Sequence, residues 1–500
     1  MSAGRKKVLR DGVQYSAATI FGQGVGLIRS VLIPVLLNPA QLGTWNLMNV
    51  VIGYAGNAHL GTLHGMNKLI PMLRGQGELA DVEKIKDSIF WFNALLTSIA
   101  FVCVWCASYY ISPEYRTALR ITAVTVFLLG FFYYYYSILR SDNRFKLISA
   151  GVGGLSVLST VFILGFAYFF PDRLVGALVG LAVAYGLVVL LWFLAGRYHY
   201  AFQVNGVVVR RCFIVGAPVM ILGVFETVFI SIDRWMIASF LSAEMLGYYA
   251  LGIMANNLIS LVPGSIASVL YPKMLERFGA SGSEVALRGL MTGPSRAMAA
   301  LISLLVGGAV LVLPFLIKVF VPKYLPSVSL FGILIPAAFF YASSVIPGNL
   351  LVALNRQKIL IKIQIVSILL ALILDAVVIK MGWGVVGIAW STVVAYAVFG
   401  GGYMCSATYF VFDRRPDMLM FLIEIYGLFV AMVLGLVLAM MLIPAGETIG
   451  VALLFTVLRL MLFLAVLFPA LWWSNRNGDL FAIAREIFPI IFNRLRGSSS

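Results

Sequence analysis

The sequence predicts an all-α polytopic membrane protein of about 14 transmembrane helices. They form two pseudo-symmetric six-helix lobes followed by two C-terminal helices. Three observations predict this. Hydrophobic residues fill 61% of the 500 positions and charged residues only 11%, where a soluble domain carries about 25% charge. The apolar residues fall in runs of about 20, the length at which a helix spans a bilayer with its backbone groups satisfied internally. The chain also repeats itself. FETVFISIDRWMIASFLSAEMLGYYAL, starting at Phe225, matches FGQGVGLIRSVLIPVLLNPAQLGTWNL, starting at Phe21, at an offset of 204.

The expected spans are 12–37, 43–67, 88–111, 120–139, 147–170, 174–196, 213–240, 247–271, 293–317, 327–353, 359–379, 384–407, 419–443 and 450–473. The repeat extends along them. Asn143-Arg144-Phe145-Lys146 recurs as Asn355-Arg356-Gln357-Lys358 at an offset of 212, and VGALVGLAVAYG from Val175 recurs as VGIAWSTVVAYA from Val386 at 211. The expected domains are therefore an N-terminal lobe, 1–200, a C-terminal lobe, 201–412, and 413–500, two added spans and a tail. Such repeats place a substrate path at their interface, with alternating access by rocking. Surface helices are expected in the connection after Met72 and in the tail after Trp473.

Charge sets the orientation. One set of connections, with both termini, carries 27 of the 36 Lys and Arg, and the opposite set carries six. This bias makes the first side cytoplasmic. The net charge of +16 does not point to nucleic acid, because the basic residues lie in short loops rather than on one soluble face. The basic start, Arg5, Lys6, Lys7 and Arg10, precedes an apolar stretch too long for a cleaved signal.

No catalytic constellation is present: the sequence has no phosphate loop, HExxH or GxSxG. Cys103 and Cys106 lie in an apolar helix without further metal ligands, so no metal, cofactor or disulfide is expected. His59 and His64 are five apart in span 2, which on a continuous helix turns them to different faces. A charge inside a span costs at least about 2.5 kcal/mol, so it faces a cavity or a partner. Arg29 in span 1 and Asp233 in span 7 lie at similar depth on matched helices and are expected to face each other, with Arg234 beside them. Glu226 is two turns before Asp233 on the same face. Gln23 and Asn57 are expected to line spans 1 and 2, and Asn256 and Asn257 to line span 8. Arg459 lies deep in span 14, either snorkelling or held by a local partner. Glu424, Asp375 and Lys380 lie nearer span ends, where a structural role is expected.

With IDRWMIASFLSAEMLGYYAL, Tyr271-Pro272 and Val321-Pro322-Lys323-Tyr324 on the page, the chain resembles the Wzx-type polysaccharide flippases of the multidrug/oligosaccharidyl-lipid/polysaccharide (MOP) exporter superfamily. The resemblance covers nearly the whole chain. It implies two lobes around a cationic cavity and transfer of undecaprenyl-diphosphate-linked oligosaccharide to the outer leaflet of a bacterial or archaeal cytoplasmic membrane. It also implies membrane lipids as partners, with a polysaccharide polymerase and assembly proteins nearby. In the lipid II flippase branch an arginine in span 1 lies in the cavity, and Arg29 is similar in position. Spans 13 and 14 resemble that branch's lipid-tail groove, where Arg459 would meet a head group. A multidrug exporter of the same fold and a lipid II flippase are the alternatives. A major-facilitator carrier is disfavoured because its basic-glycine motif is missing from 68–87. A glycan polymerase is disfavoured because no outer loop exceeds ten residues.

The charge bias makes a direct prediction. Reporter fusions at Ser281 and Ser499 should read cytoplasmic and one at Ala243 external; an external tail would overturn this orientation.

Overall fold

The computed structural model describes residues 3–198, 200–444, 446 and 448–475. The expected tail helix lies outside them, as do the side chains of the basic start. Among the described residues the protein is all helical, with seventeen α-helices, two short 3-10 turns and no strand. Eleven helical segments are long and apolar enough to cross a membrane. They overlap eleven of the expected spans, although on the seventh the segment Gly206–Phe229 stops short of the expected end at 240. The other three fall on α1 (Ala3–Leu36), on α2 (Pro39–Ala55) with α3 (Thr62–Gln76), and on the long helix Ala243–Ser281.

The chain divides into two compact units, Met1–Gly247 and Tyr248–Ser500. In the first unit α4 (Leu79–Ala107), α5 (Pro113–Ser141), α6 (Phe145–Phe169) and α7 (Arg173–Gly196) follow the first three helices. Next come α8 (Gly206–Phe229) and the short α9 (Ile232–Phe240), after which α10 (Ala243–Ser281) begins. The unit ends well beyond residue 200 because α8 packs on α3 and α4.

Close helix approach depends on glycine. A Cβ on Gly61 would meet the backbone of Gly216 and Ala217 on α8, and a Cβ on Gly216 would meet the Gly61 carbonyl in return. A Cβ on Gly43 would meet the Ala243 carbonyl, and one on Gly247 would meet the Pro39 carbonyl. This second contact joins equivalent positions of the two sequence copies. Small residues let membrane helices approach in this way, where hydrocarbon gives side chains no gain from burial.

The connection after Met72 is not a separate surface helix. Gly77, at φ +80, ends α3 with its N–H on the Arg74 carbonyl, and α4 starts two residues later. At that end of the unit Asp142 gathers several elements. Arg74 Nη2 lies 2.6 Å from its Oδ1, Lys86 Nζ 3.7 Å, and the Tyr198 hydroxyl donates to Oδ2 at 2.7 Å. Burial first, and then the Asp142 carboxylate, push the Tyr198 phenol well above its ordinary range, so it stays a donor.

The second unit holds most of α10, then α11 (Arg288–Phe320), α12 (Val328–Ser343), α13 (Val345–Ala353), α14 (Gln357–Lys380) and α15 (Gly384–Val411). The last two helices are α16 (Arg415–Leu442) and α17 (Ile449–Ser474). The repeat is visible in the backbone. Asn143 and Asn355 both adopt φ +57, a left-handed position that asparagine tolerates. The Arg144 N–H reaches the Leu139 carbonyl at 2.9 Å, and the Arg356 N–H reaches that of Leu351 at 2.8 Å. At the first match, the Asn38 side chain caps the Gln41 N–H as the Ser242 hydroxyl caps that of Met245.

Gly247→Ala is expected to lower stability by about 1–3 kcal/mol, because the intruding atom meets a backbone carbonyl rather than a side chain that can swing away. Gly24 faces open space, so Gly24→Ala should not lower it. Thermal unfolding in detergent compares the two, and equal stability for the variants would contradict the close contact.

Candidate functional site: the Arg29 seam

Arg29 lies on a polar seam where α1 runs along α6. On α6, Ser156, Ser159 and Thr160 recur at helical spacing and share one face. Gly22 makes room for Ser156, whose hydroxyl would lie 2.6 Å from an added Cβ. Farther along, Arg29 Nη1 donates to the Ser159 hydroxyl at 2.7 Å. Ser159 is 2% exposed, whereas Arg29 is half-buried. Tyr185 of α7 is within electrostatic reach of Arg29, and Tyr133 of α5 within reach of Tyr185. A guanidinium has five N–H donors. Among the described residues Arg29 makes one hydrogen bond and no ion pair. Its remaining donors are not sealed from the surroundings, so the arrangement suits an external acceptor with several oxygens.

The expected pairing of Arg29 with Asp233 is not what the structure shows. Asp233 is buried, and its Oδ1 accepts the N–H of its neighbour Arg234 at 2.8 Å, with Arg234 Nε at 3.9 Å. Equal depth on matched helices left their rotation undetermined, and Ser159 occupies the position in front of Arg29. Glu226 and Asp233 do not lie on one continuous helix either, because span 7 is broken. α8 ends at Phe229, the Ser231 hydroxyl turns back to the Thr227 carbonyl at 2.6 Å, and α9 restarts at Ile232. Tyr54 of α2 holds this break, with its hydroxyl 2.9 Å from that of Ser231 and its ring 6.4 Å from Trp235. Glu226 is exposed on α8.

The other candidates divide by role. Gln23 is exposed on α1, and Asn57 lies in the turn between α2 and α3 beside Gly223 of α8. In the second unit Asn257 is exposed, whereas Asn256 is buried and donates to the Leu334 carbonyl of α12 at 2.9 Å. Asn256 thus fastens two helices rather than lining open space. Arg459 directs Nε and Nη2 onto the Ile443 carbonyl at 3.1 and 2.8 Å, closing the end of α16; it has the local partner that was one of its two expectations.

Residue-by-residue reading missed three things. Ser159 and Tyr185 are neutral residues in apolar helices, and only the Ser-Val-Leu-Ser-Thr run of α6 hinted at the seam. His59 and His64 are not turned apart. Span 2 breaks between α2 and α3, and the two rings meet at 5.1 Å. Glu424 forms a buried ion pair with Arg296 of α11, with Nε at 2.8 Å and Nη2 at 2.7 Å from the same carboxylate oxygen.

Residues 32–277, just under half of the chain, match a family model described as "Polysaccharide biosynthesis protein". No curated protein matches the sequence. Among solved structures the chain is similar to the lipid II flippase MurJ in an inward closed conformation. They share 14% identity and a TM-score of 0.66 over 91% of this chain and 99% of that one. It is also similar to an inward-facing multidrug resistance MATE transporter of the MOP superfamily, at 13% identity and TM-score 0.65 over 82% and 98%. A third is the Vibrio cholerae MATE transporter VcmN in its bent form, at 15% identity and TM-score 0.52 over 84% and 100%. These likenesses, at 13% to 15% identity, show a shared fold, and the many long apolar helices are those of a multi-pass membrane protein.

The Arg296–Glu424 pair gives a stability prediction. Arg296→Ala strands a carboxylate that is 3% exposed and should destabilise by about 3–5 kcal/mol. Arg296→Met with Glu424→Leu replaces the pair by apolar packing and should recover most of the loss. A double variant no better than Arg296→Ala, in the same unfolding assay, would refute a purely structural pair.

Proposed function

We propose that the protein is a flippase that moves an undecaprenyl-diphosphate-linked oligosaccharide, a polysaccharide repeat unit, from the cytoplasmic to the outer leaflet by alternating access. The observation that carries this is Arg29: an arginine within an apolar helix, answered by a neutral hydroxyl and by no carboxylate among the described residues. Such a site keeps its positive charge. A diphosphate presents several anionic oxygens, and a guanidinium fork matches them bidentately. The family description and the likeness in fold to a lipid II flippase support a lipid-linked saccharide as cargo. The membrane potential would add to the drive, since an anionic head group moving outward gains about 2.3 kcal/mol per charge per 100 mV.

In this reading the lobes 1–200 and 201–412 rock about the substrate, and both termini are cytoplasmic. Membrane lipids surround the protein, and a polysaccharide polymerase and assembly proteins receive its product. Glu226, exposed on α8, favours the second reading, a multidrug exporter for cationic compounds. A free arginine charge on α1 opposes it.

Arg29→Ala should lower transport at least about tenfold, from the loss of one or two charge-assisted hydrogen bonds of about 1.5–3 kcal/mol each. Arg29→Lys keeps the charge without the fork and should fall between. Proteoliposomes holding a fluorescent undecaprenyl-diphosphate-linked oligosaccharide read both. Wild-type transport by Arg29→Ala at equal protein levels would overturn the proposal.

A further inference from the structure

We propose that His59 and His64 form the proton-binding site through which a proton gradient drives this protein, an inference that rests on its being a transporter. The two imidazoles meet edge to face, 5.1 Å between centroids at 79°. They meet because the second expected span is not one helix. α2 stops at Ala55, a turn runs through Leu60 and Gly61 at φ +48 and +80, and α3 starts at Thr62.

His59 builds that turn. Its carbonyl accepts the Thr62 N–H at 3.0 Å and the Thr62 hydroxyl at 2.7 Å. Its Nδ1 accepts the Gly61 N–H at 3.0 Å. An imidazole accepts at Nδ1 only when neutral, with its proton on Nε2. A proton placed on Nδ1 sets two donors against each other and removes the bond that holds Gly61. Gly61 is the residue whose backbone lies against Gly216 and Ala217 of α8, and Gly65, one turn on, lies against Cys212. Protonation at His59 therefore acts directly on the joint between α2, α3 and α8.

The pair is asymmetric in access. His59 is 8% exposed, whereas His64 is open on α3. A proton enters at His64 and passes to the buried partner, and two imidazoliums at this separation repel, so the pair binds its protons in coupled steps. Only N–H bonds form and break: a ring nitrogen takes the proton from one aqueous phase and gives it up to the other when the joint relaxes. From α5 the facing groups are Tyr133, which lines a narrow crevice beside His59, and Arg140, within electrostatic reach of His64. From α8 there is Cys212; from α4 the crevice receives the neutral Asn93 and Thr97. α2 itself also touches α7, which carries Tyr185, and α9, which carries Asp233 and Arg234. No carboxylate lines the crevice.

The test has two arms. The chain has three histidines, so His199→Gln protein labelled with 15N-histidine and held in lipid nanodiscs reports only this pair. Both rings should titrate while the protein stays folded, and His64→Gln should move the His59 midpoint by at least half a pH unit. Rings that never take up a proton in the folded protein, or that titrate independently, overturn the proposal. In the second arm, proteoliposomes carrying the fluorescent undecaprenyl-diphosphate-linked oligosaccharide are given a pH gradient. The gradient should speed wild-type transport several-fold and leave His59→Gln and His64→Gln at the gradient-free rate. Should His59→Gln fail to fold, His64→Gln, altered on an exposed side chain, decides. Wild-type transport indifferent to the gradient overturns the proton site and leaves the flippase standing. A protein that moves no such lipid under any condition fails as this flippase, and the titration then decides the proton site alone.

Discussion

Backbone contact at glycine is the constraint on which the first unit depends. Inside a bilayer, apolar side chains gain little by exchanging lipid for protein, so helices are held by close approach and by the few polar bonds that approach allows. Here the second expected span is fastened twice. Gly43 meets the start of α10 through Ala243 and Gly247, and Gly61 meets α8 through Gly216. With both points fixed, the turn from Gly56 to Gly61 is strung between two anchors. That turn is where the His59 ring bonds its own backbone and where Asn57 lies beside α8. One anchor follows from duplication. Gly43 and Gly247 are the same position in two copies, and each leaves room for the other copy's carbonyl, as in a self-complementary two-fold contact.

Much of this architecture was legible in the sequence because it rests on periodic or repeated features. The spans follow from run length, and the two copies from offsets that the left-handed Asn143 and Asn355 reproduce in the backbone. Interruptions within spans were not legible. The cues to the first break, Gly56, Asn57 and Gly61, are also common in continuous membrane helices. At the second, the only cue was Ser231, a residue whose hydroxyl in a helix ordinarily bonds back without ending it. Once a helix is taken as continuous, side-chain rotation beyond the break is wrong. That single assumption separated His59 from His64 and placed Glu226 on one face with Asp233. The partner of Arg29 was missed for another reason: depth along a helix can be counted from its ends, but rotation about its axis depends on packing. Ser159 carries no charge by which to announce itself.

The arginines inside the expected spans show how charge is handled without water. Arg459 is spent on a helix-terminal carbonyl. Arg234 has the carboxylate of its own neighbour Asp233. At the start of its span, Arg296 meets a nearly buried carboxylate on α16, which closes the pair electrically. Arg29 alone among these is met only by a neutral hydroxyl, on a seam of small polar residues between α1 and α6. A carboxylate in that place would cancel the charge and leave a fork able to bind anions only after breaking an ion pair. A serine orients one nitrogen and leaves the charge intact.

The two copies of the opening segment therefore diverged in electrostatics while keeping their frame. Each copy keeps the leucines, the helix-start cap and the contact glycine that fix how the chain turns. At the position where the first copy has Arg29, the second has Asp233, and there the acid is compensated within two residues by Arg234 and a backbone N–H. At this one position the first copy thus presents a positive charge and the second a buried, compensated acid. Under the proposed function, an anionic head group would be drawn to the first copy rather than shared equally between them. Its binding would bias whichever conformation gives it the better contact with Arg29, because a ligand shifts an equilibrium only by its difference in affinity for the two states.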